Sequence, residues 1–229
     1  MTAKITIYIV RHGQTEFNIQ NTVQGFSDSP LTEQGRAQAA KLGRGLKGVP
    51  FSAAFASDLG RQRDTARLIL AENDARQQPE LAEVYGLREW NCGGFEEKPI
   101  REMWSAIFRR HGLPGRDLAA EYKQLVGKLG YEGIIRAINE CDPTGAAETY
   151  EEIMSRAKAA MRRVVDDTLA AGGGNALVVT SGGLVRSILH LLVPGQYQDQ
   201  SINNCAVTIL RYDDGKYTLE SVGDESYVK

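Results

Sequence analysis

The stretch KITIYIVRHGQTEFN, Lys4 to Asn18, carries the decisive signal in this chain. Its first half, Lys4–Val10, is apolar and β-branched and predicts a buried strand. The strand ends at Arg11 and His12, and Gly13 then permits a tight turn with close backbone approach. Thr15 and Asn18 follow as neutral hydrogen-bonding side chains. An arginine and a histidine at the end of a buried strand are poor packing residues. They suit a phosphoryl group instead. Neutral imidazole is a nucleophile near pH 7, and the planar guanidinium fork matches two phosphate oxygens. The tripeptide alone is equally compatible with a structural histidine.

Outward from this stretch, strands and helices alternate. LTEQGRAQAAKLGRGL (31–46) has helical spacing, with Thr32 as N-cap and Leu42 and Leu46 on one face. FSAAFASD (51–58) predicts a strand, LGRQRDTARLILAE (59–72) a helix, and Glu80–Val84 a short strand. Glu148–Ala171 predicts a long helix, stopped by Gly172, Gly173 and Gly174. Ala176–Thr180 then predicts a central strand and Leu184–Leu192 its following helix, stopped by Pro194 and Gly195. Two late strands, 205–212 and 216–222, flank the hairpin signal DDGK. The alternation predicts an α/β fold, a mostly parallel sheet with helices on both faces. Ligands of such sheets sit beyond the carboxyl ends of the strands, where both VRHGQT and VTSGG fall. Residues 97–147 interrupt the pattern. Ile100, Met103, Trp104, Ile107 and Phe108 form an apolar stripe at helical spacing, beside Arg101, Arg109, Arg110, His111 and Arg116. The segment reads as a helical insertion packed near the site. Its arginines are either a solvated face or, as Arg109 and Arg110 suggest, a reader of extra negative charge on the ligand.

The gross numbers exclude several classes. The chain has 229 residues, 42% hydrophobic and 24% charged, which is globular composition. A net charge of −2 and a pI near 6.0 argue against a nucleic-acid coat, so an anionic ligand must be drawn by locally clustered arginines. No apolar run is long enough to predict a membrane span, and MTAKITIYIV does not read as a secretory leader. Cys92, Cys141 and Cys205 are scattered and predict reduced thiols in a cytoplasmic protein. No His, Cys and carboxylate cluster has ligand spacing, so neither a metal nor a cofactor is expected. A homodimer is compatible with the sequence.

Three further stretches join the first. ASDLGRQRDTA places Arg61 just inside a helix that follows a strand. YGLREWNCGGFEE offers Glu89 between Arg88 and Trp90. VVTSGGLVR ends a strand at Ser181, with Gly182 opening a helix whose N–H groups can meet an anion. Together with VQGFSDSPLTEQGRAQA and GAAETYEEIMSRAK, in this order, these motifs resemble the histidine phosphatase superfamily, the phosphoglycerate mutase-like fold. The resemblance implies one three-layer domain over 1–229, with the helical insertion at about 97–147. It further implies that His12 is the nucleophile and becomes a phosphohistidine. By the same resemblance Arg11, Asn18 and Arg61 grip phosphoryl oxygens, and Gln24 and Gly25 form a substrate-contacting turn. Glu89 then protonates the leaving oxygen and afterwards activates water.

One position departs from the family pattern. Where that pattern reads Ser-His-Gly or Thr-His-Gly, this chain has Ser181. A hydroxyl can donate one hydrogen bond to a phosphoryl oxygen but supplies no imidazolium charge, and loss of a preorganised donor costs on the order of 10²–10³ in rate. Ser181 lacks the GxSxG elbow of a nucleophile. His111 would substitute only if the insertion folded it over the site, and His190 lies too far along the following helix. Cys92 stands where the family often has an aromatic. The leading expectation is a metal-independent phosphomonoesterase acting on a small phosphorylated metabolite. A phosphoglycerate mutase and a weakly active phospho-ligand-binding pseudoenzyme remain as alternatives.

Overall fold

The computed structural model describes residues 4–73, 78–197 and 200–228. Six strands form one sheet: β1 (Ile5–Arg11), β2 (Phe51–Ala56), β3 (Leu81–Glu83), β4 (Gly174–Thr180), β5 (Val207–Asp213) and β6 (Lys216–Asp224). The helices are α1 (Glu16–Gln20), α2 (Glu33–Gly45), α3 (Gly60–Glu72), α4 (Ile100–Arg110), α5 (Leu118–Cys141), α6 (Tyr150–Ala170) and α7 (Gly182–Leu192). The strand order is β3-β2-β4-β1-β5-β6. β1 to β4 run parallel, joined through helical crossovers as the alternation predicts. The sheet is mixed at one edge, where β5 and β6 run antiparallel. There Asp214 (φ 47°) and Gly215 (φ 81°) turn the chain in two residues, too few for a parallel crossover.

The central strands are buried on both faces, which is why they read as continuous apolar runs. Along β4, Ala176 and Val178 face a core shared with α4 to α7, whereas Leu177 and Val179 face a second core under α2 and α3. Ile5, Ile7 and Ile9 of β1 join the first core, and Val10 joins the second. Each such side chain contributes about 1.5–3 kcal/mol on burial. A charge at Val178 would therefore break the sheet's centre.

Residues 97–147 pack on the first core through Met103, Ile107 and Phe108 of α4 and Leu125, Ile134 and Ile138 of α5. α5 is broken at Gly130, whose φ of 67° a residue with a Cβ would resist. Two local differences from the sequence reading concern the site. The loop after β1 contains the short helix α1, closed by a capping box in which Thr15 and Asn18 satisfy one another's backbone N–H. α7 begins at Gly182, two residues earlier than its apolar periodicity indicates, and in its first turn the Gly183 N–H donates to Glu89 Oε2. Among the described residues, no helix is long and apolar enough to cross a membrane.

Candidate active site

The carboxyl ends of the parallel strands bring the sequence motifs together. Arg11 is the last residue of β1, and His12 follows it, its N–H donating to Thr180 O of neighbouring β4 at 2.9 Å. His12 is buried, and its Nδ1 lies 2.8 Å from Gly13 O. That contact holds the proton on Nδ1 and leaves the Nε2 lone pair for chemistry. Burial, then the charges of Arg61 and Arg11, push the His12 pKa well below its ordinary value, so the imidazole is neutral at pH 7. A neutral buried histidine between two cations is prepared to attack an electrophile rather than to pair with an acid.

Arg61, on the first turn of α3, has a fully buried side chain. Its Nη1 donates to Ser27 O at 2.7 Å and Asp28 Oδ1 at 3.0 Å, and its Nη2 to Gly25 O at 2.7 Å. Nε is buried and without a partner. The Arg11 guanidinium donates through Nη1 to Ile202 O at 2.7 Å, and its Nε is likewise unpartnered. Two orphaned guanidinium donors beside His12 suit the oxygens of an anion. Asn18 accepts from Thr15 N and from Asn204 Nδ2, which also donates to His12 O at 2.9 Å.

The loop 24–28 is clasped from two sides. Its carbonyls take the Arg61 donors, and its N–H groups surround the Glu96 carboxylate. Gly25, Phe26 and Ser27 donate to Glu96 at 3.0–3.1 Å, and Cys92 N adds a fourth bond at 2.9 Å. A Cβ on Gly25 would meet Trp90 O at 2.0 Å, so only glycine lets the chain approach this closely. Gln24 uses both ends of its amide on Thr15 and Ser29. Gln24 and Gly25 thus shape the turn with their own polar groups.

Glu89 lies beyond β3 and rests on the N-terminus of α7. Its Oε2 accepts from Gly183 N at 2.7 Å and its Oε1 from Trp90 N at 3.0 Å. The placement needs Gly183, since a Cβ there would lie 2.4 Å from Glu89 Oε1. Arg156 of α6 fixes the segment from below. It donates to Gly86 O, Arg88 O and Glu89 O and pairs with Glu148 at 2.6 Å.

Ser181 caps α7 without using its side chain for the cap. Its hydroxyl instead accepts from Gln62 Nε2 at 2.7 Å, and both residues are buried. The two remaining histidines lie on other surfaces of their helices. His111 ends α4, about 16 Å by helix rise from Ile100 at the pocket end. His190 stacks on Tyr131 with ring centroids 3.8 Å apart.

Beside Arg11 and Gly182 opens a pocket of about 490 Å³, walled by Ile100, Trp104, Leu118 and Tyr122 of the insertion. Its second cation is Arg186, which donates to Tyr122 Oη at 3.1 Å and lies 5.4 Å from the Trp90 ring centroid. The expectation that Arg109 and Arg110 read the ligand is corrected. Both are exposed on the far side of α4, and Arg110 pairs with Glu140 at 2.9 Å. Helical geometry turns them away from the wall formed by Ile100 and Trp104. Cys92 and Cys205 are buried thiols, and burial raises the pKa of each, that of Cys205 to about 12.

Gln62, Glu96, Arg156, Arg186 and Asn204 are the functional neighbours that the sequence reading missed. Gln62, Glu96, Arg156 and Arg186 lie inside the quoted motifs, Arg186 one helical turn after Gly182, a spacing that puts it on the same face; Asn204 lies just before the strand at 205–212.

A sequence model of the histidine phosphatase superfamily (branch 1) matches residues 7–124 and 112–225. A solved phosphoglycerate mutase of Bacillus anthracis is 36% identical, covers 99% of this chain and 96% of its own, and superposes with a TM-score of 0.90. A broad-specificity phosphatase of Saccharomyces cerevisiae is 29% identical over 98% of this chain and 87% of its own length. A metal-independent phosphoserine phosphatase of Arabidopsis thaliana is 26% identical over 97% and 82% respectively.

Proposed function

The chain belongs to the histidine phosphatase superfamily, and on that premise we propose that it is a metal-independent phosphomonoesterase. Phosphoryl transfer asks mainly for positioning and charge neutralisation, and the site is built for both. His12 Nε2 attacks phosphorus while Arg11, Arg61, Asn18 and the Gly182 N–H hold the phosphoryl oxygens. Glu89 protonates the departing alkoxide. The same carboxylate then takes a proton from the water that cleaves the phosphohistidine.

The pocket beside Arg11 carries the preference for hydrolysis over isomerisation. A mutase must hold a small polyanion while a phosphoryl group moves between its hydroxyls. Walls of Ile100, Trp104, Leu118 and Tyr122 instead suit the apolar body of an organic ester, with Arg11 and Arg186 as the cations that line the same pocket. The mutase reading draws its support from the Bacillus anthracis protein. The three cysteines, left as thiols, support a cytoplasmic setting.

The test measures phosphate release from a panel of phosphate esters without added metal, for wild type and His12→Ala. Release by wild type alone is expected, with aryl or long-chain esters preferred. Faster isomerisation of 3-phosphoglycerate than hydrolysis of any ester would establish the mutase. No turnover with retained phosphate binding would leave a phospho-ligand-binding protein.

A further inference from the structure

Ser181 stands where the resemblance leads one to look for a histidine, and the volume beside it is filled by Gln62. This glutamine is fully buried on the first turn of α3, directly after Arg61. One end of its amide lies 2.7 Å from Ser181 Oγ, and the other end, Oε1, is buried without any partner. A buried unsatisfied amide terminus bears the full desolvation cost of that group. It needs a reason. Among the described residues no group supplies one, although Arg11, His12 and Arg61 all converge on the same end of the sheet.

We propose that Gln62, anchored by Ser181, is a phosphoryl-contacting catalytic residue that takes the place of the missing histidine. The inference rests on the phosphoryl-transfer reading above. The two ends of a primary amide are nearly isosteric, so Gln62 satisfies Ser181 in either orientation. In one, Nε2 donates to Ser181 Oγ and a carbonyl oxygen is orphaned. In the other, the Ser181 hydroxyl donates to Oε1 and both Nε2 protons are free. A phosphoryl dianion selects the second arrangement: it repels the carbonyl and accepts from the amide N–H. Every polar atom of the pair then has a partner, and the bound anion gains a neutral N–H donor where an imidazole would have given a charged one. The side chains also exclude one another sterically. A histidine at 181 in the serine's rotamer would run into Gln62.

The experiment compares wild type with Gln62→Met, Ser181→His and the double variant Gln62→Ala/Ser181→His. The readouts are kcat and KM for p-nitrophenyl phosphate, orthovanadate affinity and thermal melting. Gln62→Met keeps length while removing both polar atoms. It is expected to lower kcat and vanadate affinity by roughly 10- to 100-fold, with KM changed less than about 3-fold. Melting temperature reports any loss of fold. Ser181→His alone is expected to fall below wild type, and adding Gln62→Ala to recover activity. Gln62→Met with kcat and vanadate affinity within about 3-fold of wild type overturns the proposal while hydrolysis by wild type stands. Ser181→His exceeding wild type overturns it equally. If wild type hydrolyses nothing but binds vanadate, and Gln62→Met weakens that binding, the contact stands and the phosphatase reading falls. If wild type neither hydrolyses esters nor binds vanadate, both fall.

Discussion

Gly183→Ala separates the positioning of Glu89 from the stability of the fold. Gly183 lies in the first turn of α7, and its N–H donates to Glu89 Oε2 at 2.7 Å. A methyl group there would lie 2.4 Å from Oε1, 2.9 Å from the carboxyl carbon and 3.0 Å from Oε2. Ordinary contact is near 3.4 Å, so the carboxylate must retreat by about 1 Å. A misplacement of that size costs about 10²-fold, which corresponds to about 2.7 kcal/mol of transition-state stabilisation. The folded state responds differently. Alanine is favoured over glycine inside a helix by about 1 kcal/mol, which offsets part of the lost charge-assisted bond of about 1.5–3 kcal/mol. kcat is therefore expected to fall about 100-fold while the melting temperature moves by no more than about 8 °C. Gly127→Ala is the control: exposed in α5, with no atom within 4 Å of an added Cβ, it should raise the melting temperature slightly and leave kcat unchanged. Steady-state hydrolysis of p-nitrophenyl phosphate reads the effect. If Gly183→Ala acts through Glu89, combining it with Glu89→Ala adds nothing to Glu89→Ala alone. Retained activity in Gly183→Ala, or losses that multiply in the double variant, would refute the reasoning.

His12 is held neutral by burial and by Arg61 and Arg11, so the acidic limb of kcat/KM that belongs to it should lie below pH 6.5. Arg11→Gln should move that limb upward, as a pH–rate profile would show; a limb at or above pH 6.5 in wild type contradicts the assignment. The depressed value also means that the unfolded chain takes up the proton first. Stability should therefore decline as pH falls from about 6.5 toward the folded pKa, and His12→Gln should flatten that decline in pH-dependent melting. Glu96→Ala removes the carboxylate that gathers the loop N–H groups from Gly25 to Ser27. Because that loop holds the Arg61 guanidinium, kcat should fall at least about 10-fold, measured beside a melting curve. Trp104→Ala should cut the preference for aryl over short-chain esters by roughly 10-fold, whereas Arg109→Ala/Arg110→Ala should leave substrate preference unchanged in the same panel.

The layered sheet was legible because its causes are local and periodic. Runs such as IVRHG and VVTSGG combine β-branched residues with glycines at the turn, and strand burial on both faces needs no more than that pattern. The same runs put Arg11, His12 and Ser181 at the carboxyl end of the sheet, and the strand-to-helix change in ASDLGRQRDTA put Arg61 near them; Glu89, six residues past β3, was singled out through the resemblance. Tertiary structure decided which polar atoms remain unused. Gln62 and Ser181 are 119 positions apart, and their contact exists because α3 and β4 pack side by side. Gly183 looks like any helix-opening glycine until Glu89, 94 residues earlier, is seen lying against it. The arginines of the insertion were visible as charge. Which of them faces the pocket depended on the rotation of α4, and the answer was a cation of α7. Periodicity encodes what a residue is buried in; only the folded chain fixes what it is buried against.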